Sequence, residues 1–547
     1  MSLRIAPTLA AAALTAAGLT FVPSAAHAVD AQPVGLTDAI AWLNSKADSN
    51  GLLPGFDGKT ASIAVTADVA KSLSEVADPT AATVASKVAA AAHGQIGSDS
   101  AASQEIAAGL WASQFATPDS GLLTELESDI SDGSGTVSVT TYPAPTYTPT
   151  TKTSTVNAAA TGRLTDKTFN EYTGTDAQAW AVLALAQAAS AKTDAALHYL
   201  LDQQCADGGF RTKFSPIDAS AQTCADDSAS TDTDLTASSP DATGSAVLFL
   251  SALPASAKTD AVTTALSKAT DWLVEDQSKA DGSFSEWYGV SGNSTGIAGR
   301  ALRVVGKAGE ARKAAVWLRG RQAVAFTGCP TPLAKDRGAL SYNEDTFAGN
   351  LASGLDAAGV GSAVSVTAQS LAALGALPTT NPTPTLSVPA LRSGATGTLR
   401  ISGANPGDAL CVTVAGTSSK LLRAGATGAS ITAPTGVASA PISVTTASGA
   451  TARASFAINT ATSLKVIAKK KIKRGKRLAV TITGLWAGEK VTIKLGKKRF
   501  GTALANSGGK ATVKKKVAKS TKLGKAKLAA TGAFANRTGT VKIKVTR

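Results

Sequence analysis

The chain has 547 residues, too many for one hydrophobic core, so roughly two to four domains are expected. Aromatic residues make up only 5% of it, which argues against a cavity built to grip a large apolar substrate. The formal charge of +14 hides a segregation: residues 29–376 hold 22 basic and 37 acidic side chains, residues 377–460 five and one, and residues 461–547 25 and one.

Residues 1–28 have the pattern of a secretory signal peptide. Arg4 precedes an apolar stretch from Ala6 to Val22, and Ala26-His27-Ala28 supplies a small-residue cleavage site. An exported, extracellular protein is the expectation, and that compartment permits disulfides. Cys205 and Cys224 lie close together and are the expected pair, whereas Cys329 and Cys411 fall in different expected domains and are read as free or weakly paired. There is no C-x-x-C, and the only histidines are His27, His93 and His198, so no metal site is expected.

From residue 34 to 376 helical patterns alternate with polar loops. Three- and four-residue spacing of apolar side chains predicts helices over 62–77, 103–115, 174–189, 192–204, 241–253, 258–277, 294–306, 309–322 and 363–375. Asp241 and Thr295 sit where N-caps belong. The Ser/Thr/Pro-rich stretch 131–160 reads as a long loop or small hairpin within an insertion of about 131–172. Four helices end in an aromatic-Leu pair: Trp42-Leu43, Tyr199-Leu200, Trp272-Leu273 and Trp317-Leu318. The second continues to Gln204 and Gly208-Gly209-Phe210, the third to Gln277 and Gly282-Ser283-Phe284, and the fourth to Gln322, Gly338 and Tyr342. The first has Ala47 in place of the glutamine.

That pattern resembles the Gln-Trp repeat of the squalene cyclase and prenyltransferase superfamily. The resemblance implies an α/α toroid over residues 29–376, with inner and outer rings of helices. In such a repeat the glutamine can bond orphan backbone groups at a helix end, and the glycines allow a tight turn. Gln204, Gln277, Phe210 and Phe284 are therefore read as structural.

After a linker at 377–384, short alternating segments bounded by glycine predict two β-sandwiches, 385–460 and 461–547, resembling bacterial immunoglobulin-like modules. Ile401-Ser402-Gly403 with Gly407-Asp408 is echoed by Ile482-Thr483-Gly484 with Gly488-Glu489. The whole is a multidomain α + β protein.

Catalytic signatures of the resembling families are not found. Asp226-Asp227 and Asp232-Thr233-Asp234 do not match a cyclase acid motif, no zinc set of Asp, Cys and His is apparent, and Cys329 is followed by Pro330-Thr331-Pro332 rather than a thioester motif. No catalytic residue, metal or cofactor is expected. A ligand-binding mouth is placed at the starts of the inner helices, at Asp176, Gln178, Asp241, Thr243, Asn293 and Thr295, with Trp180, Trp287 and Tyr288 nearby. The alternative for these residues is capping and core packing. A polyanion-binding surface is expected from Lys469, Lys470, Lys471, Lys473, Arg474, Lys497, Lys498, Arg499, Lys514, Lys515 and Lys516. Trp486, Phe500 and Phe534 are too few aromatics for nucleic-acid stacking.

These observations point to an exported, monomeric, non-catalytic binding protein of the cell surface or wall. Its toroid would take a small-molecule or protein ligand, and its basic domain would hold an anionic wall polymer or membrane surface. The rivals are a secreted enzyme of terpenoid-cyclase or prenyltransferase type, and a corrinoid-type carrier.

Overall fold

The computed structural model describes residues 31–98, 102–141, 150–166, 173–224, 237–417, 419–459, 463–486, 488–533 and 537–547. The expected signal peptide, the acidic pairs at 226–227 and 232–234, and Phe534 lie outside these residues. Helices, interrupted by short paired strands, occupy the chain up to residue 376, and strands alone follow. Each helix expected from periodicity is present, the last beginning earlier, at Ala357. Helices Ala81–His93, Ser120–Ser128 and Glu344–Ser353 are additional. The first buries a mostly alanine face (Ala81, Ala85, Val88, Ala92) and exposes Thr83, Ser86, Lys87 and His93. The stretch 131–160 contains an antiparallel hairpin, Thr136–Thr141 with Thr150–Thr155.

Six helices pack in a closed cycle. Ile63–Glu75 contacts Ser103–Ser113, which contacts Thr175–Gln187, then Pro240–Ser251, Gly292–Val304 and Ala357–Ser370, and the last returns to the first. These helices are buried on nearly every side; Thr175–Gln187 buries Thr175 and every residue from Ala177 to Ala186. Helices packed against them are amphipathic instead, and Asp260–Asp276 buries only Val262, Ala265, Ala269, Thr270 and Leu273. The run Ala357–Ala376 is long and apolar enough by composition to cross a membrane, but most of it is buried in this helical core.

Three cycle helices are entered through paired strands, the short hairpins Leu53–Pro54 with Ala61–Ser62 and Ser285–Glu286 with Gly289–Val290, and the long-looped hairpin Phe210–Arg211 with Ser238–Ser239. Each hairpin leads into a serine cap: Ser62, Ser239 and Ser291 accept from the amides of Val65, Ala242 and Ser294. The caps are thus these serines rather than Asp241 and Thr295. Both of those lie inside the first turn or just beyond it.

A glutamine clasp recurs where one hairpin meets the next. Gln204 Nε2 donates to the Gly208 carbonyl (2.8 Å) and the Ala265 carbonyl (2.9 Å). Gln277 donates to Gly282 (3.0 Å) and Glu310 (2.9 Å), and Gln322 to Gly338 (3.0 Å) and Gly35 (2.8 Å). The second acceptor in each case is a carbonyl within the next helix, not the orphan end group expected. Gly208, Gly282 and Gly338 have φ of +100°, +83° and +101°, and a Cβ on each would collide with or crowd the following helix at Lys268, Lys313 and Asp38. The Gln322 clasp joins the last hairpin to the first helix, Val34–Asn44.

Beyond residue 384 the strands form two modules of the same topology, each with a five-stranded and a three-stranded sheet around one apolar core. The first module is docked on the helices. Cys329 and Cys411 form a disulfide, with Cα atoms 5.7 Å apart, inside an apolar cluster with Val324, Phe326 and Ala447. The expectation of free or weakly paired thiols is corrected: the loop after Ala308–Arg319 folds onto strand Leu410–Val414 and brings the two cysteines together. The expected pair Cys205–Cys224 is also a disulfide. Beside the inter-region bond, Arg319 Nε donates to Asp408 Oδ1 at 3.0 Å, with both side chains only 2% exposed. In the second module the equivalent acid, Glu489, is instead paired with Arg537 of its own module.

Removing one partner of a buried ion pair leaves an uncompensated charge. Arg319→Leu is therefore expected to cost about 3–5 kcal/mol in urea unfolding, and the double variant with Asp408→Leu to recover most of it.

Candidate functional site

A cavity of about 370 Å³ opens within the helical cycle. Every cycle helix contributes to its wall: Asp68, Gln104, Asp176, Asp241 with Ser245 and Phe249, Arg300 with Ile297, and Gln369. Asp176 and Asp241 occupy the first turns of their helices, where negative charge complements the helix dipole. Asp68 lies further along its helix, Ile63–Glu75.

The carboxylates lining the cavity, and Glu75 behind its Arg300, have unlike environments. Arg300 grips Glu75 with both arms, Nη2–Oε1 at 3.0 Å and Nε–Oε2 at 3.1 Å, and Lys71 Nζ adds a contact of 2.7 Å. Burial opposes ionisation of Glu75, but Arg300 and Lys71 together outweigh it and hold the carboxyl at about 2. Burial raises Asp68 to about 7; Arg300 and a hydrogen bond from Gln369 work against that rise, while Asp176 and Glu75 add to it. Burial also raises Asp176, against hydrogen bonds from Ser245 and Gln104, the latter at 2.7 Å. Asp176 keeps surface open to solvent, yet the enclosing helices still disfavour its charge. Asp241 is raised chiefly by burial, against hydrogen bonds from Ser294 and Tyr288.

Of the residues assigned to a mouth from sequence, Asp176 and Asp241 line the cavity. Asn293 stands one step behind, donating to Gln369 Oε1. Trp287 and Tyr288 sit at the turn of the hairpin before Gly292–Val304; the Tyr288 hydroxyl donates to Asp241 Oδ2 at 3.1 Å, and Trp287 is 79% exposed. Glu286 of the same hairpin accepts from Ser239 Oγ and from the Asp241 amide, fixing it against the start of Pro240–Ser251.

Four of the residues assigned to the mouth are taken up by packing. Trp180 is buried, 5.4 Å from Trp111 and 4.5 Å from Phe249 between ring centroids. Thr243 and Thr295 accept the amides of Phe210 and Phe284, the residues two beyond the clasp glycines, and Thr66 and Thr367 do the same for Leu53 and Leu340. Gln178 takes this place for Leu164 and donates to the carbonyls of Gly162 and Ala196. These side chains lock the hairpins to the cycle helices and do not face the cavity.

Asp68, Gln104, Arg300 and Gln369 escaped sequence analysis. A signal was present: Asp68, Lys71 and Glu75 follow i, i+3, i+7 spacing, so three ionisable groups share one face of a helix whose neighbours Ala67, Val69 and Ala70 are buried.

The basic surface is also rearranged by the fold. Lys469 and Lys470 lie outside the strands, before Lys471–Lys473, which ends just short of Arg474; Lys497 lies in the turn between Lys490–Leu495 and Lys498–Leu504. Lys514, Lys515 and Lys516 end a strand of the three-stranded sheet, opposite Ala479, Leu478 and Arg477. On the five-stranded sheet, Lys471, Lys544 and Lys525 are direct cross-strand neighbours on three adjacent strands, and Lys542 faces Lys527. All five are exposed. Adjacent strands lie about 4.8 Å apart, and like charges placed directly opposite destabilise a sheet.

No family model and no curated protein matches the chain. Among solved structures it is similar to ent-copalyl diphosphate synthase from Streptomyces platensis, at 17% identity over 57% of this chain and 50% of that one, with a TM-score of 0.33. The Lin0763 protein from Listeria innocua is 10% identical over 58% of this chain and 85% of that one, with a TM-score of 0.35. Salmonella alpha-2-macroglobulin is 12% identical over 30% of this chain and 16% of that one, with a TM-score of 0.14. The chain therefore spans half the length of the synthase it resembles. Superpositions of this quality do not fix the fold.

Because Asp68 holds its proton more tightly in the folded chain than in the unfolded one, its contribution to stability is complete below about pH 4. It is lost as pH rises through about 7. Asp68→Asn removes that loss. Urea unfolding should show the variant gaining about 1–3 kcal/mol on the parent between pH 4 and pH 8.

Proposed function

We propose that this chain is an exported binding protein of the cell surface or wall. In this reading the helical cycle is an α/α toroid that takes a small-molecule or protein ligand at its mouth. The two β-modules are immunoglobulin-like sandwiches, and the last one holds the protein to an anionic wall polymer. The observation that carries the tether is the row Lys471–Lys544–Lys525. Such a row is unfavourable in the isolated sheet and becomes favourable when a linear polyanion lies along it and releases its counterions. Residues 461–547 contain a single carboxylate, Glu489, and it is buried against Arg537. Disulfide formation suits an extracellular setting.

A second reading, acid catalysis of terpenoid-cyclase type, is favoured by Asp68, whose carboxyl is partly protonated at neutral pH. The cavity wall weighs against it. Phe249 is the one aromatic among the lining residues, so little would steady a carbocation. A volume of about 370 Å³ also lies near the low end for small-molecule sites and is tight for a corrinoid.

The tether is tested with Lys471→Gln, Lys525→Gln and Lys544→Gln combined in the full chain. Binding to purified wall polymer, measured across a salt series, should lose roughly 2–3 from the slope of log affinity against log salt. The thermal midpoint should stay level or rise, because three repelling charges have gone. An unchanged slope, or protein that stays on walls in about 1 M salt, would remove charge as the tether.

A further inference from the structure

We propose that the cavity within the helical cycle binds an organic cation, an amine, guanidinium or quaternary ammonium group seated between Asp176 and Asp241, at the end of the cavity where the hairpin's Tyr288 bonds Asp241. This rests on the reading of the helical cycle as a ligand-binding module and names its ligand class. Three carboxylates line the cavity, Asp68, Asp176 and Asp241. Of the cations that line it, Arg300 is committed to Glu75 in a two-armed ion pair, and Lys213 lies exposed. With Glu75 held by both Arg300 and Lys71, and Asp68 close to that pair, the carboxylates left to meet a cationic ligand are Asp176 and Asp241.

Asp241 supplies the more specific clue. Its carboxylate is held by Tyr288, at Oδ2, and by Ser294, but its Oδ1 is shut off from solvent with no donor within hydrogen-bond geometry. A buried carboxylate oxygen left without a donor is costly, and the positive field of a cation held nearby would offset that cost. The hairpin adds an aromatic component. Trp287 stands edge-to-face to Tyr288, with centroids 5.4 Å apart, and leaves 79% of its surface exposed on the same hairpin turn whose Tyr288 bonds Asp241. Carboxylate and indole together are the pairing that recognises an organic cation.

An inorganic ion fits the site less well. Among the described residues no three His, Cys, Asp or Glu side chains converge as metal ligands, and a space of about 370 Å³ far exceeds what an ion fills.

The full-length protein is titrated calorimetrically with choline, 1,4-diaminobutane and agmatine. Neutral 3,3-dimethylbutanol, butyrate, Mg²⁺ and Ca²⁺ serve as controls, and Trp fluorescence is followed in parallel. Saturable binding of at least one organic cation is expected, with a raised thermal midpoint and at least tenfold preference over its neutral counterpart. Asp241→Asn should weaken it at least tenfold. Trp287→Ala, at an exposed position that leaves the fold intact, should weaken the quaternary ligand several-fold. Equal binding of dimethylbutanol, preference for butyrate, or binding of Mg²⁺ or Ca²⁺ alone would overturn the cation assignment while leaving a ligand-binding cavity in place. Absence of any binding across the panel would overturn the cation assignment, and failure of a broad mixed-metabolite soak to occupy the cavity would overturn the ligand-binding reading with it.

Discussion

The helical region depends on how one glutamine amide shares its two hydrogens. One goes to the carbonyl of a glycine whose positive φ leaves no room for a side chain, and the other to a carbonyl inside the next helix. Each clasp fixes the offset between successive hairpins. Two residues beyond the glycine, a backbone amide is received by a threonine of the adjoining cycle helix, or by Gln178. Loop, packed helix and cycle helix are thus tied at one point. Because both ends of the clasp are main-chain atoms, the intervening side chains are free to vary, and the cavity can be lined with whatever chemistry is required.

That freedom is visible in the polar residues facing the centre. Helices as deeply buried as these are expected to carry alanine and leucine, and most positions comply. Asp68, Lys71, Glu75 and Arg300 do not, and they reach charge compensation by clustering. The cluster divides into a fully paired set around Glu75 and a less satisfied group of aspartates toward the mouth. Fully paired charge and less satisfied charge are thus separated along one cavity wall.

Periodicity revealed most helices, and the spacing of Gln204, Gln277 and Gln322 from their glycines revealed the clasp. Both signals are local and repeated. What sequence could not supply was the identity of partners across the fold. Thr243 and Thr295 looked like mouth residues because they begin cycle helices, yet their hydroxyls point to the amides of a preceding loop. Asp68 sits in a segment whose helical character was plain, but its meaning depends on Arg300, more than two hundred residues away. Likewise the runs of three lysines drew notice, while the denser array arises from Lys471, Lys525 and Lys544, which strand register alone brings side by side.

The two β-modules share a topology but differ in how the acid at the equivalent position is neutralised: Glu489 finds its arginine at home, and Asp408 borrows one from the helices. The borrowed pair lies near the Cys329–Cys411 bond. Mechanically, a pull on the tail reaches the helical region through a joint that is covalent as well as ionic. The forward module is thereby a shoulder of the helices, whereas the terminal one balances its buried acid with an arginine of its own.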